Sequence, residues 1–136
     1  MEPARNKQKK YQELITTARH LIAPDDHWIS KLANTTALLH TELKHFWTGF
    51  YLVEGERLVL GPFQGPVACT SIERGKGVCG TAWQEKASQV VPDVHQFPGH
   101  IACSAESNSE IVIPVFKGEK VIAVLDIDST SFDSFD

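Results

Sequence analysis

The residues best equipped for chemistry gather towards the end of the chain. Cys103 stands in a polar loop, Glu110 opens an apolar run, and a second run, VIAVL, leads into Asp126-Ile127-Asp128. A strand places residues i and i+2 on one face, about 6.5–7 Å apart. Asp126 and Asp128 therefore point the same way, at the end of a segment that belongs in a core. Two like-charged carboxylates beside apolar packing are costly unless they bind a cation or share a proton. A thiol facing such a cluster is a catalytic arrangement, in which a thiolate attacks and a protonated carboxyl supplies a proton.

Two further thiols, Cys69 and Cys79, complete the set of three. Cys79 lies where a turn enters a helix, a position that favours thiolate and predicts a lowered pKa. Cys69 falls in a short strand predicted near Val67 to Ile72, where a free cysteine reads as a small buried hydrophobe. Zinc is a competing use: His95, His100 and Cys103, with Cys69 or Cys79, could supply four ligands. The spacings are irregular and no C-x-x-C pair is present, so no metal is expected. A Cys/His hydrolase would need an oxyanion hole and an acid-oriented histidine, and no local signature supports one. Three thiols with three carboxylates fit redox thiol chemistry better: one thiol attacks, a second resolves, an acid protonates. The run Gly75 to Gly80, G-K-G-V-C-G, matches G-x-G-x-x-G literally. Polar residues precede it and only a short helix, Val78 to Lys86, follows, so it reads as a tight turn with close helix–sheet packing and not as a dinucleotide site.

These groups need a scaffold. The 136 residues are 42% hydrophobic, which suits one domain with one core. A formal charge of −4 argues against nucleic acid as a partner. The N-terminus has no apolar signal region, and no apolar run approaches the ~18 residues of a membrane span. An odd cysteine count without framework spacing suits a reducing compartment, so the cytoplasm is expected. Residues 7 to 22 keep helical spacing through Tyr11, Leu14, Ile15, Ala18 and Ile22, and Pro24 ends the helix. Asp25 or Asp26 can cap a second helix running to Leu43. Phe46 to Glu54 reads as a strand, turned by Glu-Gly-Glu into Arg57 to Leu60. Within it Trp47, Gly49 and Tyr51 share one face and Phe46, Thr48, Phe50 and Leu52 the other. Gly49 between two large aromatics marks close approach of a ligand or another backbone. GPFQGP reads as a loop, Gln89 to Val91 as a brief strand, and Pro92 to Ala105 as an ordered covering loop. A closing hairpin turns at Lys117-Gly118-Glu119-Lys120. The order predicts an α+β domain over 1–136, with helices in 7–43 and sheet and active-site loops in 46–129. The sheet is antiparallel, of about five or six strands, with helices packed on one face. The sequence stops at TSFDSFD, where Asp133 or Asp136 could cap a further helix, so the natural protein is expected to continue, and spare apolar residues on the helices suit a homodimer.

The hairpin carries a constraint. If Lys117 and Lys120 flank a two-residue turn, regular pairing sets Glu110 opposite Ile127 and sends its carboxyl away from both aspartates. A site containing all three acids therefore requires a bulge, an odd-length turn, or Glu110 outside the regular strand.

The blocks FWTGFYLV, GPFQGPVACTSIERGKGVCGTA, VVPDV, FPGHIAC, SNSEIVIP and VLDIDS resemble the GAF-domain free methionine-(R)-sulfoxide reductases, from about Tyr11 onward. The resemblance implies a GAF-like fold and thiol-dependent reduction of free L-methionine (R)-sulfoxide, with no bound cofactor. It implies Cys103 as nucleophile, passing through a sulfenic acid, and Cys69 as the resolving thiol ahead of Cys79, which could relay the disulfide outward. Thioredoxin would supply the reducing equivalents. Among Glu110, Asp126 and Asp128, one would donate the proton while the others hold the substrate's α-ammonium. Trp47 and Tyr51 would pack around its methyl and methylenes. The alternative is a GAF-type sensor that binds a small molecule without turning it over.

Overall fold

The computed structural model describes residues 4–101 and 103–136, with the backbone alone at Ala4 and Arg5. Two helices lead: α1 (Ala4–Leu21) and α2 (Trp28–Leu43). The cap of α2 is His27, whose Nδ1 accepts from Ile29 N–H. The aspartates expected there sit one step too early, and Asp26 instead accepts from Ala23 N–H across the preceding turn.

Six strands follow: β1 (Trp47–Glu54), β2 (Arg57–Gln64), β3 (Ser71–Glu73), β4 (Gln89–Val91), β5 (Ser109–Lys117) and β6 (Lys120–Ser129). They form one antiparallel sheet in the order β3-β2-β1-β6-β5-β4. β1 and β6 are therefore central, and both deliver chemistry-bearing residues. The helical layer expected on one face is α1 and α2, whose Leu14, Leu39 and Leu43 face Ile111, Ile113, Leu125 and Ile127 of the sheet. The opposite face carries a second element, the short α3 (Gly77–Glu85), which sets Val78, Cys79, Ala82 and Trp83 against Trp47, Val112 and Val124. Residues after β6 are not helical; Phe135 folds back onto His45, ring centroids 4.8 Å apart.

Two local predictions are corrected. β2 runs through GPFQ, which the sequence presents as a loop. The register slips between Gly49 and Tyr51, so Phe50 opposes both Gly61 and Pro62, and a bulge is where a strand tolerates a missing N–H. Conversely, Val67 to Thr70 is a loop and β3 begins only at Ser71, so Cys69 lies outside the sheet. The glycine run is the tight turn expected. Gly75 and Gly77 have φ of 77° and 64°, and a Cβ at Gly80 would lie 2.5 Å from Glu73 O.

Candidate active site

The acids are brought together by strand register. Lys117 pairs with Lys120 across a two-residue turn, Phe116 with Val121, and Val115 with Ala123, leaving Ile122 as an extra residue. Beyond this bulge Glu110 pairs with Asp128 and Val112 with Asp126. The bulge that the hairpin requires is thus present, and all three carboxyls face one side. On the other flank of β6, Trp47 pairs with Asp128 and Gly49 with Asp126. Aromatics and acids therefore share the face covered by α3.

Glu110 and Asp126 are buried, at 6% exposure each, and Asp128 is half-buried. Burial raises the Asp126 carboxyl well above its usual range, and the charges of Asp128 and Glu110 push the same way. Burial does the same for Asp128, reinforced by Glu110. Glu110 is also raised by burial, against the opposing pull of its hydrogen bond with Asp126 and of nearby His100. Oδ1 of Asp126 is buried and meets no hydrogen-bond partner. The cluster is a place where protons are retained towards neutrality.

The aromatic wall is built from β1 and β2. Trp47 stacks on Tyr51 with centroids 6.0 Å apart and on Phe63 at 5.3 Å. A Cβ at Gly49 would collide with the Phe63 side chain and lie 2.6 Å from the Trp47 ring. Glycine is needed here so that Trp47 can lie flat across the strand. The polar ends of both aromatics hold the loop that carries Cys69. Trp47 Nε1–H donates to Pro66 O at 3.0 Å, and Tyr51 O–H donates to Cys69 O at 2.9 Å.

Cys69 and Cys103 form a disulfide, with Cα atoms 5.4 Å apart at a sequence separation of 34. Both are half-buried. Cys103 lines a cavity of about 60 Å³ together with Trp47, Tyr51, Cys79 and the three acids. Cys69 is just outside the lining and joins it through the disulfide. Cys79 departs from expectation: it is buried, its thiol is free, and its pKa is raised. Burial is the main cause, followed by the negative charges of Asp126 and Glu110. At the first turn of α3 these outweigh any benefit from the helix terminus, so Cys79 is the buried hydrophobe and Cys69 the loop thiol.

The histidine set weighed for zinc is not assembled. His95 Nδ1 is bonded to Asp93 Oδ1 at 2.8 Å, where Asp93 caps the 3-10 turn Val94–Gln96, and Cys103 is committed to the disulfide. Among the described residues the one group with metal-compatible proximity is different. Cys79 Sγ and one carboxylate oxygen each from Glu110 and Asp126 lie within 4.8 Å of one another.

Residues 31–136 match the GAF domain family model. The chain is 52% identical over 132 residues to GAF domain-containing protein A of Dictyostelium discoideum, covering 96% of this chain and 84% of that protein. It is 50% identical over 131 residues to the free methionine-R-sulfoxide reductase of Escherichia coli K12, covering 96% of this chain and 79% of that protein. The chain belongs to the free methionine-R-sulfoxide reductases. This is a GAF-domain family of oxidoreductases. The free methionine-R-sulfoxide reductase of Neisseria meningitidis, solved in complex with its substrate, superposes with a TM-score of 0.90 at 48% identity, over 93% of this chain and 77% of that one.

Sequence reasoning about this reductase missed part of the cavity wall. Alternation puts Phe46 on the far face, yet it lines the cavity because β1 starts only at Trp47. Pro66 lines it from the expected loop, and Val67 and Ala68 line it although they read as strand. Gly65 and Pro66, both ill-suited to a strand interior, were the available signal. His100 and Ser104 come from the covering loop and Ser107 from the residues just after it; the sequence marks the loop as a cover but not what it touches.

Proposed function

We propose that the protein reduces free L-methionine (R)-sulfoxide to methionine, with Cys103 as nucleophile, Cys69 as resolving thiol and thioredoxin as reductant. One observation carries the reading: the Cys69–Cys103 disulfide closes over a cavity walled by buried carboxyls and stacked aromatics. The substrate complex of the Neisseria meningitidis relative supports the choice of substrate.

In the proposed cycle the Cys103 thiolate attacks the sulfoxide sulfur while a protonated carboxyl of the cluster hydrogen-bonds the sulfoxide oxygen. Oxygen passes to Cys103, which becomes a sulfenic acid, and methionine leaves as the thioether. The Cys69 thiol then attacks the sulfenic sulfur, water departs, and the disulfide forms. The acid is needed because sulfoxide oxygen is a poor leaving group until protonated. The remaining carboxylates hold the free α-ammonium, which a peptide-bound methionine sulfoxide does not possess, while Trp47 and Tyr51 enclose the methyl and methylenes. Cys79, buried and neutral, is unsuited to relaying a disulfide outward and serves as wall beside Asp126.

Recycling needs an accessible disulfide and a dithiol of sufficiently low potential. Val67, 88% exposed, and the exposed Ile101 flank the two cysteines and offer an apolar landing for a partner. Thioredoxin, at about −270 mV, is a suitable donor, and a thiol-reducing compartment such as the cytoplasm is where such a cycle turns over. The half-exposed Tyr11 and Ile15 of α1 suit self-association through the helical layer.

The test is thioredoxin-dependent NADPH consumption with separated sulfoxide epimers. Turnover of the R epimer by the intact protein, lost in Cys103→Ser, is expected. Turnover that survives the serine change rejects Cys103 as nucleophile. No turnover of either epimer would favour a ligand-binding sensor.

A further inference from the structure

We infer that Cys79, Glu110 and Asp126 form a binding site for a thiophilic divalent cation, zinc being the natural example, inside the carboxylate cavity. The site differs from the histidine set considered from sequence and uses the thiol that the proposed cycle leaves idle. Its three donor atoms already lie within 4.8 Å of one another. Tetrahedral zinc with bonds of about 2.3 Å to sulfur and about 2.1 Å to oxygen spaces its ligands about 3.4–3.6 Å apart. The groups therefore need to close by about an ångström, within reach of side-chain rotation at Glu110 and Cys79.

A second observation points to a ligand. Asp126 is 6% exposed, lines the cavity, and its Oδ1 has no hydrogen-bond partner. A buried carboxylate oxygen without a donor is costly to the fold. A cation satisfies it directly. Asp128, opposite Glu110 in the ladder, or water can complete the fourth position. The donor set also selects the metal: one thiolate with carboxylates suits zinc, whereas magnesium and calcium take oxygen ligands. A bound dication would occupy the acids assigned above to the substrate ammonium. Inhibition of turnover is a corollary that rests on that reading; binding itself does not.

Cobalt(II) is the probe, because thiolate-to-cobalt charge transfer gives an ultraviolet band that oxygen ligands do not. With the Cys69–Cys103 disulfide intact, Cys79 is the single thiol in the chain. Titrating the oxidised full chain with cobalt should produce that band, saturating at one metal per chain and displaced by zinc. Asp126→Asn should weaken cobalt more than about 100-fold, beyond the 10- to 100-fold typical of losing a supporting partner, and Cys79→Ser should remove the band. Absence of the band in the oxidised wild-type protein overturns the inference whatever the variants do. So does zinc affinity, measured by chelator competition, that Cys79→Ser and Asp126→Asn leave unchanged.

Discussion

Replacing Asp126 by asparagine should stabilise the fold while abolishing turnover, and the stabilisation should grow with pH. Asp126 is buried beside two other acids, with one oxygen lacking a partner. Its folded-state pKa is raised by burial and then by Asp128 and Glu110, whereas an unfolded chain ionises aspartate near 3.9. Between those two values the folded state binds more protons than the unfolded state, so stability falls as pH rises. Above the raised value the loss levels off. For each proton retained the slope is about 1.4 kcal/mol per pH unit, hence about 2.7 kcal/mol across two units. Against a total of about 5–15 kcal/mol for a domain, that is readily measured. Asparagine removes one titrating group, relieves repulsion on its neighbours, and offers an amide donor to Glu110 and Asp128. The variant's advantage should thus widen by up to about 1.4 kcal/mol per unit as pH rises from the unfolded aspartate value of about 3.9 towards the raised folded-state value. Urea unfolding of the oxidised protein in EDTA, with and without the substitution, measures the difference at each pH. Parallel stability–pH curves, or a variant less stable throughout, would refute the reasoning that the buried acids titrate anomalously.

Tyr51→Phe removes the hydrogen bond that holds Cys69 O; we expect a loss of about 1 kcal/mol and a larger fall in kcat/KM, both absent if the phenol only fills space. Gly49→Ala forces Trp47 and Phe63 apart, and overpacking of this kind should cost about 1–3 kcal/mol and weaken substrate binding, read as a raised KM. Reducing the Cys69–Cys103 bridge, which spans 34 residues, should lower stability by about 4 kcal/mol on chain-entropy grounds. Chemical unfolding with and without a phosphine reductant checks that figure.

Much of the site was legible because strand geometry is strict. Asp126 and Asp128 had to share a face, Gly49 had to separate two rings, and Glu110 could join them only through a bulge. What the letters withheld depended on partners far along the chain. Cys79 reads as a reactive thiol at a helix start because the carboxylates that surround it come from strands more than thirty residues later. Cys69 reads as strand-borne because an apolar run near Ile72 masks a loop pinned by two aromatic side chains. GPFQ reads as a loop because the accommodation of Pro62 depends on a register slip in the neighbouring strand, which local propensity does not encode.

The extra residue at Ile122 lies about 20 Å along the hairpin from Glu110, yet it decides which way that carboxyl points. Were Ile122 to pair regularly with Val115 instead of bulging, the whole ladder would change parity, setting Glu110 against Ile127 and turning it towards the helices α1 and α2. No residue in the cavity would have changed identity, but one of its three acids would be gone. The far tip of the hairpin thus works as a phase setting for chemistry done at its base, and its bulge is as much a part of the enzyme as the thiols.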